Sequence, residues 1–241
     1  MNREQKRGKI TMPTYNVSKT FGRQGQISER STSVMRMFGL TADRLTETSF
    51  TVNCQVQIND GDIVYITGPS GAGKSVLLKE LEKSVPASDK MNLNEVKLPC
   101  DKSVIDCIDG STGSPYNGDF LQGLKLLSIA GLNDAFCVLN QPANLSDGQK
   151  YRFRLAAALG SGAKFIFADE FCSGLDRITA AVISYNIQKY AKRTGAMFIL
   201  ASSHEDILLD LAPDVLVVQE LSGPTQVIYK RGKIQRCEAV V

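Results

Sequence analysis

The sequence predicts an α/β domain built on a mainly parallel sheet, and three observations carry that prediction. The octapeptide Gly68-Pro69-Ser70-Gly71-Ala72-Gly73-Lys74-Ser75 stands between the apolar run Ile63-Val64-Tyr65-Ile66 and the helical-period stretch Val76-Leu77-Leu78-Lys79-Glu80-Leu81. A second apolar run, Phe165 to Ala168, ends in Asp169-Glu170. Beyond it, residues 179–191 have a helical period, residues 196–201 form a buried apolar run and residues 214–219 another. Strands alternating with helices in this way give parallel sheets.

Taken in order, residues 1–44 read as a basic N-terminal arm and lead-in segment, the first ten as a mobile tail. This part carries Arg3, Lys6, Arg7, Lys9, Lys19, Arg23 and Arg30 and has weak periodicity apart from residues 34–40. From residue 49 the alternation Phe50, Val52, Cys54, Val56, Ile58 predicts a half-buried strand. The turn Asn59-Asp60-Gly61-Asp62 then predicts a hairpin into the strand before the glycine loop. Val85-Pro86-Ala87-Ser88 breaks the helix that follows the loop, and short strands and turns continue to residue 119, with a short helix starting within 103–108. Residues 120–130 have a helical period with Gly131 as a C-cap, and residues 135–139 form another short helix. Residues 227–234 suit a terminal hairpin.

At 241 residues the chain has room for one α/β domain, or one with a small inserted lobe. A hydrophobic share of 43%, a charged share of 22% and a formal net charge of +3 are ordinary for a soluble globule and do not announce a nucleic-acid partner. No apolar run approaches the roughly 20 residues that cross a bilayer, and the N-terminus lacks the apolar stretch of a signal peptide, so the expected location is cytoplasmic. Six cysteines without a Cys-x-x-Cys pair, and one histidine, argue for reduced packing thiols rather than a zinc site.

The strand, glycine loop and helix suit a phosphate. Glycines let backbone N–H groups converge, the helix start adds its positive end, and no Cβ obstructs the approach. Lys74 then reaches the β- and γ-phosphates, and the Ser75 hydroxyl serves Mg²⁺. Asp169 and Glu170, at the end of an apolar strand, lie at the carboxyl edge of the sheet beside that loop, the first to hold Mg²⁺ and the second to polarise a water. Ser146 or Asp147 caps the helix through Tyr151, Phe153, Leu155, Ala156 and Leu159, and such a start presents free N–H groups to an anion.

In order and spacing these motifs resemble the ATPase domain of the ATP-binding cassette (ABC) superfamily, over roughly residue 50 to the end. Gly68 to Ser75 matches Walker A, Leu145-Ser146-Asp147-Gly148-Gln149 the signature motif, residues 165–170 Walker B, Ser173-Gly174-Leu175-Asp176 the D-loop, and His204 the switch histidine. The resemblance implies a P-loop ATPase fold of ABC type, its parallel sheet flanked by helices, with an N-terminal antiparallel β subdomain and a helical lobe at about 103–160 within a domain spanning 45–241. It implies ATP and Mg²⁺ as cofactors, an ATP-dependent head-to-tail dimer, and a protein or nucleic-acid client. Gly68, Pro69, Ser70, Gly71, Ala72, Gly73, Lys74, Ser75 and Val76 of one chain, with Ser146, Gly148 and Gln149 of the other, then enclose each ATP. Glu170, His204 and Lys74 are the implied catalytic residues, and Ser75, Asp169 and Asp101 the metal-side ones. Asp176 joins the protomers or simply caps a turn.

The family pattern has a glutamine between Walker A and the signature, and residues 97–105 have none. Asp101 stands there as a metal-side substitute or as an exposed acid, and Gln122 is a weaker alternative. Phe38, Phe21 and Tyr15 are the aromatics upstream of Walker A that stack adenine or merely pack. Gly61 to Gly68, Leu145 to Leu155 and Ala168 to Cys172 also look like a group of soluble ABC-type ATPases often fused to a predicted acetyltransferase domain, for which this chain has no room. The compact segment between Walker A and the signature lacks a long helical subdomain for a membrane partner, which favours a non-transport ATPase. The alternatives are a transporter's nucleotide-binding subunit and a nucleic-acid-associated ATPase. Lys150, Arg152 and Arg154 lie near the substrate in the last case, although Arg152 and Arg154 read more simply as exposed helix positions.

Overall fold

The computed structural model describes residues 14–21, 28–37, 39, 50–108, 120–221, 224–230 and 234–236. The predicted N-terminal tail, Phe38 and Cys237 lie outside them, as do the side chains of Tyr15 and Phe21. A seven-stranded sheet in the order β4-β5-β6-β3-β7-β8-β9 forms the centre. Its strands are β3 (Ile63–Thr67), β4 (Lys90–Asn92), β5 (Phe165–Ala168), β6 (Met197–Ala201), β7 (Val215–Val218), β8 (Gln226–Tyr229) and β9 (Ile234–Arg236). β4 to β7 and β3 pair in parallel, while β8 and β9 extend the sheet antiparallel as the predicted terminal hairpin.

The central strands are continuous apolar runs because both faces are covered. Every residue of β3, β5 and β6 is buried. On one face Ile63, Tyr65, Ile166, Phe198 and Leu200 join Phe153, Leu155, Ile183 and Ile187 in one cluster. Those last four come from α5 (Asp147–Gly160) and α6 (Arg177–Thr194). On the other face Val64, Ile66, Phe167, Ile199 and Val217 meet Leu77, Leu78 and Leu81 of α2 (Lys74–Lys83), with Cys54, Val56 and Ile58. The remaining helices are α1 (Glu29–Met37), α3 (Phe120–Ile129), α4 (Ala135–Leu139) and the short α7 (Leu208–Leu211).

One expectation needs correction. β2 (Phe50–Gln57) does not form a hairpin with β3; it pairs antiparallel with β1 (Thr14–Phe21), in register from Thr14↔Gln57 to Phe21↔Phe50. The turn at 59–62 is real, closed by Asn59 N–H and Nδ2 donating to Asp62 Oδ2 at 2.8 and 2.9 Å, with Gly61 at φ 75°. It delivers the chain from a two-stranded sheet into the main one, where Phe198 N–H donates to the Asp62 carbonyl at 3.1 Å. The lead-in, where periodicity is weak apart from residues 34–40, contains β1 and α1, and β1 with β2 forms an antiparallel pair at the N-terminal side.

Candidate functional site

β3 is the point at which the sheet reverses direction: the chain leaves it for the β4 edge and later returns to place β6 on one side and β7 on the other. Ligands of open α/β sheets sit at the carboxyl ends of strands at such a point. The glycine loop occupies that place. Gly68 has φ 140°, and a Cβ there would meet the Gln219 carbonyl oxygen at 2.0 Å, so the loop packs backbone against backbone with the end of β7. Gly73 precedes α2 at φ 88° with no side chain capping the helix start.

Lys74 is nearly buried, and its Nζ donates to the carbonyls of Gly68 at 2.8 Å and Pro69 at 2.9 Å. The ammonium is thus held over the loop by two carbonyl oxygens, a pair that phosphate oxygens can replace. Val76 N–H is engaged by the Gly73 carbonyl at 3.0 Å. Ser75 Oγ donates to Asp169 Oδ1 at 3.1 Å, and the same carboxylate oxygen accepts the Glu170 N–H at 3.1 Å.

This pair permits a test for Mg²⁺. Cis ligands of an octahedral ion with bonds of 2.0–2.1 Å stand about 2.9 Å apart, close to the Ser75–Asp169 spacing, and both atoms are hard oxygens. Among the described residues no group of three His, Cys, Asp or Glu side chains is set to hold a metal. Two hard oxygens at this spacing suit an ion that takes most of its ligands from phosphate and water, as Mg²⁺ does. Asp101 is exposed in the loop before the turn at 104–108, and no described hydrogen bond or ion pair joins it to Ser75 or Asp169.

Past Asp169 the chain turns sharply. Glu170 and Cys172 take φ of 53° and 58°, a region that side chains with a Cβ seldom enter and that clusters at functional sites. Phe171 N–H donates to Ala201 O at 2.8 Å and Cys172 N–H to the Tyr151 hydroxyl at 3.0 Å. Glu170 itself is exposed. His204 follows β6, which neighbours β3, and is exposed; its N–H donates to Ser202 Oγ at 3.3 Å while its carbonyl accepts the Tyr65 hydroxyl. Burial pushes the Tyr65 hydroxyl and the Cys172 thiol up to about 12, so both stay protonated at neutral pH.

The Ser146 motif opens α5 with a capping box. Gln149 N–H donates to Ser146 Oγ at 3.4 Å and Ser146 N–H to Gln149 Oε1 at 2.9 Å. Gln149 Nε2 also reaches Cys137 Sγ on α4 at 2.8 Å. Gly148 packs on the 173–176 loop, where a Cβ would stand 3.3 Å from Leu175 Cδ2. Asp176 caps α6 through Thr179 N–H at 2.9 Å, and hydrogen bonds from the Thr179 side chain and backbone hold its carboxyl below the usual range. Ser146→Ala should lower the stability of the ligand-free chain by about 1 kcal/mol, read as a shift in thermal unfolding; no shift would show that the box is not formed in solution.

Arg152 and Arg154 are not on an exposed face. Arg152 donates from Nε to Gly148 O at 3.1 Å and from Nη1 to Gly131 O at 2.9 Å, tying α5 to the end of α3, and Arg154 is half-buried. Sequence reasoning missed Tyr65 and Tyr151, whose signal was a phenol inside an apolar strand and another inside an apolar helix face. A buried tyrosine hydroxyl needs a partner.

Comparisons with known proteins bear on the fold. Residues 51–108 match the family model described as ABC transporter. The methionine import ATP-binding protein MetN of Streptococcus agalactiae is 29% identical over 68% of this chain and 54% of its own, and that of Mannheimia succiniciproducens 32% over 70% and 56%. The dimeric post-hydrolysis structure of an ATP-binding cassette bound to ADP and Pi is 20% identical, with TM-score 0.62 over 91% of this chain and 99% of that one. The chain carries a domain of the ABC ATPase type. It spans about half the length of the curated relatives it matches. Within this ABC-type domain the loop at 68–75, the acids at 169–170 and His204 all lie at the carboxyl ends of neighbouring strands β3, β5 and β6. No helix among the described residues is long and apolar enough to cross a membrane.

Proposed function

We propose that the chain is a cytoplasmic ABC-type ATPase that binds Mg-ATP between two head-to-tail copies, hydrolyses it, and so drives a conformational switch in a protein or nucleic-acid client. The observation that carries this reading is the Ser75–Asp169 oxygen pair beside the glycine loop, with Glu170 following at once in its strained turn. Lys74 leaves the Gly68 and Pro69 carbonyls for the β- and γ-phosphates, where its charge offsets the charge that develops in phosphoryl transfer. Ser75 and Asp169 hold Mg²⁺, which when bound neutralises phosphate oxygens. Glu170 orients and deprotonates the attacking water, and His204 hydrogen-bonds the γ-phosphate side. Ser146, Gly148 and Gln149 of the second copy bring a helix start to the same phosphate.

ATP at a hundredfold excess over its Kd should stabilise the wild type by about 2.7 kcal/mol against unfolding. Lys74→Ala should lose that shift and all hydrolysis. A full ATP-induced shift in Lys74→Ala would place the nucleotide elsewhere.

A second reading, the nucleotide-binding subunit of a transporter, is supported by the names of the relatives, which are import ATP-binding proteins. It is also supported by Phe120, Leu121, Phe136 and Leu139, large apolar side chains exposed on α3 and α4 between the glycine loop and the Ser146 motif. Co-purification of the Glu170→Gln chain with a membrane protein in ATP selects this reading; capture of soluble partners alone selects the first. Nucleic acid as client is less supported, since Arg152 spends two of its donors on backbone carbonyls. DNA- or RNA-stimulated hydrolysis with steep salt dependence would reinstate it.

A further inference from the structure

The turn that carries Glu170 is held in a conformation that its own residues disfavour, partly by Ser173, whose N–H and Oγ donate to the Glu170 carbonyl at 3.1 and 2.9 Å, and partly by two ties from outside the turn. One tie is Phe171 N–H to the Ala201 carbonyl at the end of β6, 2.8 Å. The other is Cys172 N–H to the hydroxyl of Tyr151, 3.0 Å, and that hydroxyl donates in turn to Cys172 Sγ at 3.9 Å. Tyr151 stands on α5, within the second turn of the helix that opens with Ser146. A matching tie reaches His204, whose carbonyl takes the hydroxyl of Tyr65 on β3.

We propose that Tyr151 is a positioning residue that couples the Ser146 end of α5 to the placement of Glu170 in the same chain. The inference rests on the head-to-tail ATPase reading above. Residues of one α-helix move together, and Arg152 on the same turn binds both Gly148 within α5 and Gly131 beyond α3. When Ser146 and Gly148 meet a phosphate held by the second chain, the displacement of α5 is passed to the Tyr151 hydroxyl. From there it reaches the Cys172 N–H, two residues past Glu170. The strained φ angles at Glu170 and Cys172 make the turn responsive: with the Tyr151 tie displaced and only the Ala201 and Ser173 bonds left, the backbone shifts toward commoner angles and the carboxylate moves with it. Occupation of one nucleotide site is thereby reported to the water-activating group of the other.

The test is Tyr151→Phe in the full chain, which keeps the ring and removes only the hydroxyl. The expected result is a kcat lower by about tenfold, the worth of one buried hydrogen bond converted to rate, with KM for ATP within about threefold and the ATP-dependent dimer retained. In a Glu170→Gln background the same change should lower the residual rate no further, because the group it positions is already gone. A merely structural tyrosine would shift thermal unfolding and lower activity only with the folded fraction. That outcome, or an unchanged kcat, overturns the proposal. Should Tyr151→Phe fail to fold, a fluorotyrosine at position 151 weakens the hydroxyl as an acceptor at nearly constant size; a lower kcat at unchanged thermal stability supports the coupling, and an unchanged kcat rejects it. A wild-type chain that does not hydrolyse ATP overturns both this proposal and the reading beneath it, whereas a hydrolysing wild type with an undiminished Tyr151→Phe removes the coupling alone.

Discussion

Glu170→Gln should slow ATP hydrolysis by roughly 10²–10⁴-fold while leaving ATP binding intact, and should trap the chain as an ATP-bound dimer. The amide keeps the size and hydrogen-bonding reach of the carboxylate but cannot take a proton from water. The groups assigned to the phosphates and metal, Lys74, Ser75 and Asp169, are untouched. The backbone of the turn is also retained, since the Ala201 and Tyr151 ties reach Phe171 and Cys172 rather than the Glu170 side chain. Steady-state hydrolysis and gel filtration with ATP check both halves. A variant that eluted only as a monomer would mean that ATP does not close two copies of this chain, and a variant that hydrolysed at the wild-type rate would remove Glu170 from the chemistry.

Gly68→Ala should cost about 3 kcal/mol or more, or abolish folding, by a route that does not involve nucleotide at all. The added Cβ would lie 2.0 Å from the Gln219 carbonyl oxygen and 3.0 Å from its carbon, and both are backbone atoms. They have nowhere to go. Gln219 N–H donates to Thr67 O at 2.9 Å, its side chain is fully buried, and Thr67 is in register with Val218 between β3 and β7. The φ of 140° is itself closed to a side chain. Gly174→Ala is the control: nothing lies within 4 Å of its Cβ position, so stability should stay within about 0.5 kcal/mol of wild type. Denaturant unfolding of the two variants checks the pair, and equal stabilities would show that the loop does not press on β7.

What was legible in the sequence is what short-range pattern encodes. β3, β5 and β6 are apolar runs buried on both faces, and α2, α3, α4, α5 and α6 announce themselves by period and caps, down to Gly131 and Ser146. The 59–62 turn shows the limit, because turn chemistry says that the chain reverses but not which strand receives it. β2 finds its partner upstream instead, in β1, from Thr14↔Gln57 to Phe21↔Phe50. No local pattern specifies that partnership, since β1 lies in a polar lead-in where alternation is weak and tertiary context makes it a strand.

The site divides in the same way. Gly68 to Ser75, Asp169 and Glu170 are contiguous motifs with residue types that few other roles require, and the structure brings Ser75 and Asp169 together across 94 positions of sequence. Tyr65 to His204 spans 139 positions and Tyr151 to Cys172 spans 21, and neither tyrosine belongs to a motif that would announce its contact. Arg152 departs from expectation because a charged residue on a helix defaults to solvent, whereas the carbonyls of Gly131, past the end of α3, and of Gly148, one turn back on α5, give its guanidinium partners inside the fold.

The central claim is that each ATP is enclosed by the glycine loop of one copy and the Ser146 motif of another, and mixing two inactive variants tests it most directly. Lys74→Ala removes the first half-site and Ser146→Arg blocks the second. A head-to-tail pair of the two variants has one site built wholly from intact parts and one that is doubly defective. The account predicts that each variant alone hydrolyses no ATP and that an equal mixture recovers hydrolysis, at most about a quarter of the wild-type rate because half the dimers are mixed and each has one of two sites, and about tenfold less than that where the Tyr151 coupling requires the second site to be filled. A mixture as inactive as its components, with both variants folded, would contradict it.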